Sequence, residues 1–356
     1  MANGYGTLMQ TQMTIVQRMV QIRRQRLLPI AGEVIAIEGQ EVSPVQVVAR
    51  TPRDSDYQII PASEELRLDP ASLTEYLQVE PGAAIETGTL LLQKRGFPRS
   101  KKLTSPVSGL FLGARNGRLI LRQSPEWIEL RAMFRGRVVR IVANRGVELE
   151  ANGSLVEAVW GSGKEAYGNI KLATRTADAP LTSDMLSSET SNQVLVVGHL
   201  NDAELLAQAE KNDVRGIVAG SIRADLLAAA EAAPFPVLVT DGVGKQRMAA
   251  PIFQLFLQAE KAEATLFGQS SRKQRPEIII PLSGTATSTP RSTEPLAVGQ
   301  AVRILRSPHR NEVGEVVRLY ERARTTAVLS PTYGADIQLP DGNITFVPLA
   351  NLDVLI

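Results

Sequence analysis

The chain has 356 residues, of which 44% are apolar and 21% charged, and its formal net charge is +2, a balance typical of globular proteins. It contains no cysteine and only two histidines, which excludes disulfides, thiolate nucleophiles, cysteine-ligated clusters and multi-histidine metal sites. No run of 18 apolar residues and no signal-peptide core is present, so we expect a cytoplasmic protein without a transmembrane segment, a metal or a cofactor. The length predicts two to four domains.

The small net charge conceals a strong separation of charge along the chain. Residues 31–92 carry eleven acids and three bases, whereas residues 93–145 carry thirteen bases and two acids. Aromatic residues make up only 4% of the chain, too few for a broad platform on which bases stack. The charge pattern therefore predicts electrostatic docking, either within the protein, between its copies or to a polyanion.

The first predicted element is a helix within residues 1–30. Residues 8–28, LMQTQMTIVQRMVQIRRQRLL, contain no glycine or proline, and Ile15, Met19 and Ile22 recur at helical spacing among four arginines. The main interpretation is a helix that packs on a neighbouring subunit or domain. The alternative is a basic amphipathic helix on an anionic membrane surface.

Residues 31–173 predict a β-rich domain of short strands, with a short helix that begins at Asp69-Pro70. Within it, residues 79–123 include VEPGAAIETGTLLLQK, RGFPRSKK and LTSPVSGLFLGARNGRLIL in succession. This order of turn, strand, hairpin tip, SPVSG and strand pair resembles the biotinyl/lipoyl-type barrel-sandwich hybrid. Cofactor carriers of that family attach their cofactor to a tip lysine flanked by Met or Asp. Lys94 and Lys101 lack such neighbours, so covalent biotin or lipoate is not expected.

The predicted hairpin tip is strongly basic, and further arginines follow on the next strands. Such a projection is suited to phosphate contact, which needs clustered cations but no base-reading geometry. The alternative is pairing with the acidic residues of 31–92, in the same domain or in a neighbouring subunit. The tip residues are Lys94, Arg95, Arg99, Lys101 and Lys102, and the arginines that follow are Arg115, Arg118 and Arg122.

A polar, Ser/Thr-rich linker is predicted over residues 174–192, followed by a small α/β domain over 193–268. There, apolar strands alternate with amphipathic helices, which predicts a mostly parallel sheet. Ligands bind beyond the carboxyl ends of such strands, where His199, Ser221 and Asp241 lie. These three residues are candidates for a nucleophile, base and acid, or for a small-anion site at the helix starts.

The motifs that would support catalysis or nucleotide binding are missing from this domain. No GxSxG surrounds Ser221, and no GxGxxG follows the first strand. Turn formation and helix capping explain the same residue types. WGSGKEAYG, residues 160–168, fails the phosphate-loop spacing and reads as a β-turn.

A second linker is predicted over residues 269–296, and a compact β unit over 297–356. The stretch VGQAVRILRSPHRNEVGEVVRLY, followed by TYGADIQLPDGNITFVPLANLDVL, resembles the KOW-motif, SH3-like barrel of transcription and translation factors. That resemblance implies contact with RNA, DNA or a protein, although six bases and six acids in 297–356 predict little purely electrostatic affinity. The contact residues implied are Arg303, Arg306, His309, Arg310, Arg318, Arg322 and Arg324.

The predicted fold class is thus multidomain α+β, with a β-rich barrel-sandwich-like domain, a small α/β domain and a C-terminal SH3-like barrel. The leading functional hypothesis is a non-enzymatic binding or scaffold protein that associates with itself through the charged β domain and the N-terminal helix. One alternative is a nucleic-acid-associated factor that uses the basic hairpin and the C-terminal barrel. A second is an enzyme or small-anion binder at the α/β loop ends.

Overall fold

A computed structural model describes residues 14–53, 56–95, 100–270, 275–286, 296–320, 322–325 and 331–355. Within these residues the chain is rich in strands, and most of them belong to one large mixed sheet. The strands of the first part are β1 (Thr14–Leu27), β2 (Glu33–Val34), β3 (Glu41–Val42), β4 (Val47–Pro52), β5 (Tyr57–Ile60), β6 (Ala84–Ile85), β7 (Leu90–Lys94), β8 (Lys101–Thr104), β9 (Gly109–Arg115), β10 (Arg118–Gln123) and β11 (Trp127–Arg131).

The remaining strands extend the large sheet through the middle and the end of the chain. The middle part contains β12 (Gly136–Val142), β13 (Gly146–Glu157), β14 (Trp160–Gly161), β15 (Glu165–Leu172), β16 (Gln193–Leu200), β17 (Gly216–Ile222), β18 (Val237–Val243), β19 (Glu263–Phe267) and β20 (Glu277–Pro281). The last part contains β21 (Ala301–Ile304), β22 (Val313–Leu319), β23 (Arg324–Thr325), β24 (Pro331–Thr332), β25 (Gly334–Gln338), β26 (Ile344–Pro348) and β27 (Leu352–Leu355).

Helices are short in the described residues, and none is long and apolar enough to cross a bilayer. The α-helices are α1 (Ala62–Leu66), α2 (Glu204–Lys211), α3 (Leu227–Ala232) and α4 (Ala250–Gln258). Single 3₁₀ turns or helices occur at Pro70–Tyr76, Ser183–Met185, Ser188–Thr190, Ala224–Leu226 and Leu349–Asn351. The predicted helix start at Asp69 is confirmed as a 3₁₀ start, because its carboxylate accepts from the Ala71 amide at 3.1 Å.

The predicted N-terminal helix is wrong for the residues that the structure describes, since Thr14–Leu27 is strand β1. Val16, Val20 and Ile22 are buried, in keeping with the alternation of a strand. β1 runs antiparallel to β13 along most of its length and parallel to β27 near its start. Residues 8–13 of the predicted helix lie outside the described residues.

Three of the four arginines of β1 are paired with carboxylates, while the exposed Arg18 donates to the Gln258 side chain at 3.4 Å. The three pair with carboxylates of three other strands: Arg23 Nε lies 2.6 Å from Glu150, Arg24 makes two bonds to Glu277 at 2.5 and 2.7 Å, and Arg26 makes two to Glu165 at 2.7 and 2.8 Å. With three of its four arginines paired and Val16, Val20 and Ile22 buried, β1 does not support the proposed membrane contact or a free self-association helix.

The middle of the large sheet carries the predicted parallel strands. β15, β16, β17 and β18 are parallel neighbours, and the apolar strand residues alternate between two buried cores. α4 packs on one face, where Ile252 and Phe256 join Val194 and Val196. α2 and α3 pack on the other face with Leu195 and Val197. This part is therefore a three-layer arrangement.

Both predicted linkers contain packed structure. Leu181, Leu186 and Thr190 of the first are buried, the two leucines against the α2–α3 side of the sheet. In the second, residues 277–281 form β20, which pairs with β13 and β19 in the centre of the sheet. The predicted linker is therefore wrong for residues 277–281; residues 271–274 and 287–295 lie outside the described part of the chain.

The small β unit, residues 56–123, has its own core. Its four-stranded sheet has the order β5-β10-β9-β6, and the β7–β8 hairpin and α1 pack with it around Leu91, Phe111 and Leu121. Gly82 and Gly88 adopt φ of 91° and 90°, as the predicted turns require. The C-terminal unit packs around Val302, Val316 and Ile337, and its strand β27 joins it to β1.

Candidate functional site

His199 and Ser221 meet at the carboxyl ends of β16 and β17, as the parallel order predicts. They are register partners, and His199 Nδ1 lies 2.9 Å from Ser221 Oγ. The Ser221 hydroxyl donates to the Gln246 carbonyl at 2.6 Å and accepts from the Gln246 amide at 3.1 Å. Because the single hydroxyl proton is committed there, His199 Nδ1 must carry the proton that it shares with Ser221.

In this arrangement Ser221 has a structural role, since it connects His199 to the Gln246 backbone, and it is not an exposed nucleophile. The Ser221 side chain is fully buried, and its hydrogen-bonding capacity is used by His199 and Gln246. Burial lowers the pKa of His199, with Lys245 and Arg223 contributing in the same direction, so the ring is held neutral. The pair therefore stabilises the turn after β18 and does not support attack on a substrate.

Replacing Ser221 with alanine is expected to cost about 1–3 kcal/mol, because buried His199 and the Gln246 backbone lose their partner. Thermal or urea unfolding of Ser221→Ala measures this, with Ser188→Ala, at an exposed position of the turn Ser188–Thr190, as the control. Equal stability of both variants would contradict the role assigned to Ser221.

Asp241, the third predicted loop residue, is separate from the His199–Ser221 pair. Its carboxylate accepts from Arg303 Nη1 at 2.7 Å, from Thr240 Oγ1 at 2.6 Å and from the Ala249 amide at 3.1 Å. Burial raises its pKa, and the adjacent Arg303 guanidinium opposes that rise. Asp241 is thus an anchor between two parts of the protein, and the predicted Ser-His-Asp constellation is not assembled.

The prediction that Arg303 contacts a polyanion is wrong. The Arg303 side chain is fully buried, and besides Asp241 it donates to the Thr240 carbonyl at 2.9 Å and to Asp353 at 3.1 Å. Arg275 approaches the same Asp353 at 3.6 Å. The guanidinium therefore ties β21 and β27 of the C-terminal unit to the end of β18 and is not available to an external ligand.

The basic hairpin tip is only partly described, because Arg99 lies outside the described residues. Lys101 Nζ donates to the Leu66 carbonyl at 2.9 Å, which ties the hairpin to α1. Lys94 Nζ stands 5.9 Å from the Tyr76 ring centroid. Arg95 and Lys102 are exposed. The tip presents cations as predicted, with Lys101 partly committed to the fold.

The outer face of the small four-stranded sheet carries exposed apolar side chains, with arginines near the ends of two of its strands. Tyr57 and Ile59 of edge strand β5 are 63% and 52% exposed, and Leu112 of β9 is 39% exposed. The register places Tyr57 opposite Arg122 and Ile59 opposite Ile120, so these residues share one face. The exposed arginines on this sheet are Arg115, Arg118 and Arg122. We call this surface the β5–β10 face; none of the four strands of this sheet contains an acidic residue.

The charges of this unit are not paired with one another. Residues 56–123 hold nine bases and seven acids, yet among those described no base lies within 4.0 Å of an acid. This disfavours the predicted pairing within the domain. The arginines were predictable from the sequence, but the exposed apolar residues were not. The strand YQII (Tyr57–Ile60) is too short for its alternation to show which side chains face the solvent.

The remaining predicted contact residues lie on the C-terminal unit. Arg306 and Arg310 are exposed, and His309 Nδ1 lies 3.2 Å from Glu312. Arg322 is exposed as well. Arg318 and Arg324 stack over the Tyr320 ring at 4.9 and 4.6 Å. The structure therefore brings two predicted arginines together on an aromatic ring that sequence reasoning did not select.

A cavity of about 440 Å³ in the described residues is lined by mixed charges that are largely paired. Arg135 lies 3.4 Å from Glu263, and Glu150 is the partner of Arg23. No group of three or more His, Asp or Glu side chains in the described part of the chain is placed to hold a metal ion. We assign no ligand to this cavity.

No protein-family model matches the chain, and no curated protein matches it at a significant level.

Proposed function

We propose that this protein is a non-enzymatic binding and scaffold protein that associates with itself through its small β unit, residues 56–123. In this proposal the unit is a barrel-sandwich-type module without an attachment lysine, and the C-terminal unit is an SH3-like barrel that serves as a second docking module. The observation that carries the proposal is the β5–β10 face, where exposed apolar side chains are accompanied by arginines without an ion pair among the described residues.

An apolar centre with a charged rim is the anatomy of a protein–protein interface. Tyr57, Ile59 and Leu112 would be desolvated at the centre, while Arg118 and Arg122 would fix orientation at the rim. Aliphatic side chains contribute little to a nucleic-acid surface, which depends on cations and stacked rings. The composition of this face therefore favours a protein partner.

A second copy is the partner that the charges favour. The same unit exposes acids that have no ion pair among the described residues, and they lie outside the β5–β10 face. Opposite charges on different surfaces of one chain suit a head-to-tail contact, which builds closed rings or open chains. These acids are Glu64, Glu65, Glu75, Glu80 and Glu86.

The double variant Arg118→Glu/Arg122→Glu is expected to abolish self-association, because it replaces the basic rim by charges that repel the acids. Sedimentation velocity over a range of protein concentrations measures this. Arg247→Glu, at an exposed site outside the unit, is the control and should assemble like the natural protein. Association should also weaken between low and moderate salt, as partly exposed charges are screened.

Mixing distinguishes head-to-tail association from other geometries. Glu64→Gln/Glu65→Gln/Glu75→Gln should also be monomeric, yet an equal mixture with the double arginine variant should form heterodimers through the one intact pair of surfaces. A natural protein that remains monomeric at all concentrations would contradict the proposal.

Nucleic-acid binding is the second candidate function, favoured by the unpaired cations Arg95 and Lys102 at the hairpin tip. It predicts binding of oligonucleotides that falls steeply with salt, which the self-association proposal does not require. Filter binding by the monomeric variant Glu64→Gln/Glu65→Gln/Glu75→Gln, which keeps every cation, and by the natural protein separates the two functions.

A further inference from the structure

Tyr320, Phe346 and Asp336 form a corner on the surface of the C-terminal unit. The two ring centroids are 5.7 Å apart with the planes inclined at 69°, and the Tyr320 hydroxyl donates to Asp336 Oδ2 at 2.6 Å. Asp336 of β25 and Phe346 of β26 are register partners, so the strand pairing itself places the carboxylate beside the ring. Two ring faces and a carboxylate in one place are a suitable environment for a cation.

Arg324 occupies this corner. Its guanidinium carbon lies 4.6 Å from the Tyr320 centroid and 5.2 Å from the Phe346 centroid, and Nη1 is 3.9 Å from Asp336 Oδ1. The side chain is nevertheless 51% exposed. It is therefore held by weak contacts that another cation could replace.

Arg318 also stacks on Tyr320, at 4.9 Å, but Arg324 alone of the two has contacts with both rings and the carboxylate. A planar guanidinium can stack on aromatic rings and donate two parallel hydrogen bonds to a carboxylate, whereas an ammonium group cannot do both. The complete set of contacts thus fits one arginine side chain.

We propose that the corner of Tyr320, Phe346 and Asp336 is a receptor site for an arginine side chain of a protein partner, and that Arg324 fills it as an internal competitor. Partner binding then requires Arg324 to leave the corner. The apparent affinity is therefore the intrinsic affinity multiplied by the fraction of molecules in which Arg324 is out of the corner. This inference concerns the C-terminal unit and does not depend on self-association through the small β unit.

The test uses the full chain with isotope-labelled tyrosine, titrated with the peptides acetyl-GGRGG-amide and acetyl-GGQGG-amide. NMR signals of Tyr320, assigned with Tyr320→Phe, report on the site. In Arg324→Ala the arginine peptide should bind in the millimolar range expected of a single cation–π site, about tenfold more tightly than in the natural protein. The glutamine peptide should leave Tyr320 unshifted.

Three variants make the result specific. Arg322→Ala, at an exposed neighbouring position, should keep the natural affinity, and Phe346→Leu in the Arg324→Ala background should abolish binding while preserving an apolar side chain. Signals of the other tyrosines report that the fold is retained, and Arg324→Gln, which keeps a long side chain, replaces Arg324→Ala if they move. Equal affinity of the natural protein and Arg324→Ala, or no Tyr320 shift in either, would overturn the proposal.

Discussion

Arg303→Met is expected to lower the free energy of unfolding by about 3–5 kcal/mol, the largest effect of any single substitution proposed for this protein. The guanidinium is fully buried between Asp241 and Asp353, whose side chains are 1% and 3% exposed. Methionine fills similar space but leaves buried Asp241 without a cation and Asp353 with only Arg275, 3.6 Å away. Urea unfolding followed by circular dichroism measures the change.

Arg306→Met is the matched control, since Arg306 is exposed and lies three residues along the same segment. It should change stability by less than about 0.5 kcal/mol. The network also predicts a rescue: Arg303→Met/Asp241→Leu should recover much of the loss, because it removes the carboxylate that Arg303→Met leaves unpaired, while Asp353 keeps Arg275 at 3.6 Å. A loss below about 1 kcal/mol for Arg303→Met would show that the triad does not anchor the C-terminal unit.

Glu157→Gln is expected to stabilise the protein above neutral pH and to have little effect in acid. Burial, which is the main cause, and the like charge of Glu277 raise the pKa of Glu157 to about 7, while Arg275 acts in the opposite direction. Among the described residues Glu157 Oε2 has no hydrogen-bond partner, and Arg24 is committed to Glu277. Glu157 is thus a buried carboxyl that competes poorly for the nearby cations.

The sign of the pH effect follows from the two states. Between about pH 4.5 and 7 the folded protein keeps the Glu157 proton that the unfolded chain loses, so stability falls as pH rises through this range. Each unit of pKa difference corresponds to about 1.4 kcal/mol, so Glu157→Gln should be roughly 3 kcal/mol more stable than the natural protein at pH 8.

Urea unfolding at intervals from pH 4.5 to pH 8 measures this effect, with Glu210→Gln on the exposed side of α2 as the control. The control should follow the natural protein at every pH. A Glu157→Gln variant with the natural pH dependence would contradict the assignment.

The short-range patterns of the sequence determined much of the local structure. Continuous apolar runs such as QVLVVG and GIVAGS predicted buried parallel strands, and the amphipathic segment from Ala250 predicted α4. Strands and helices of this kind are specified by residues a few positions apart, so the chain itself contains the information. The basic hairpin was predictable for the same reason, because its charges are neighbours in sequence.

The other features were decided by tertiary structure. Whether a segment pairs as a strand, and whether a charged side chain is paired or exposed, depends on residues that are distant in the chain. The spacing of Ile15, Met19 and Ile22 fits a helix, but pairing with β13 and β27 makes this segment a strand. Arg303 and Arg306 are alike in sequence context, yet one is buried between two aspartates and the other is exposed. Local pattern thus determined many of the elements, whereas long-range packing decided that β1 is a strand and which cations remain free to bind.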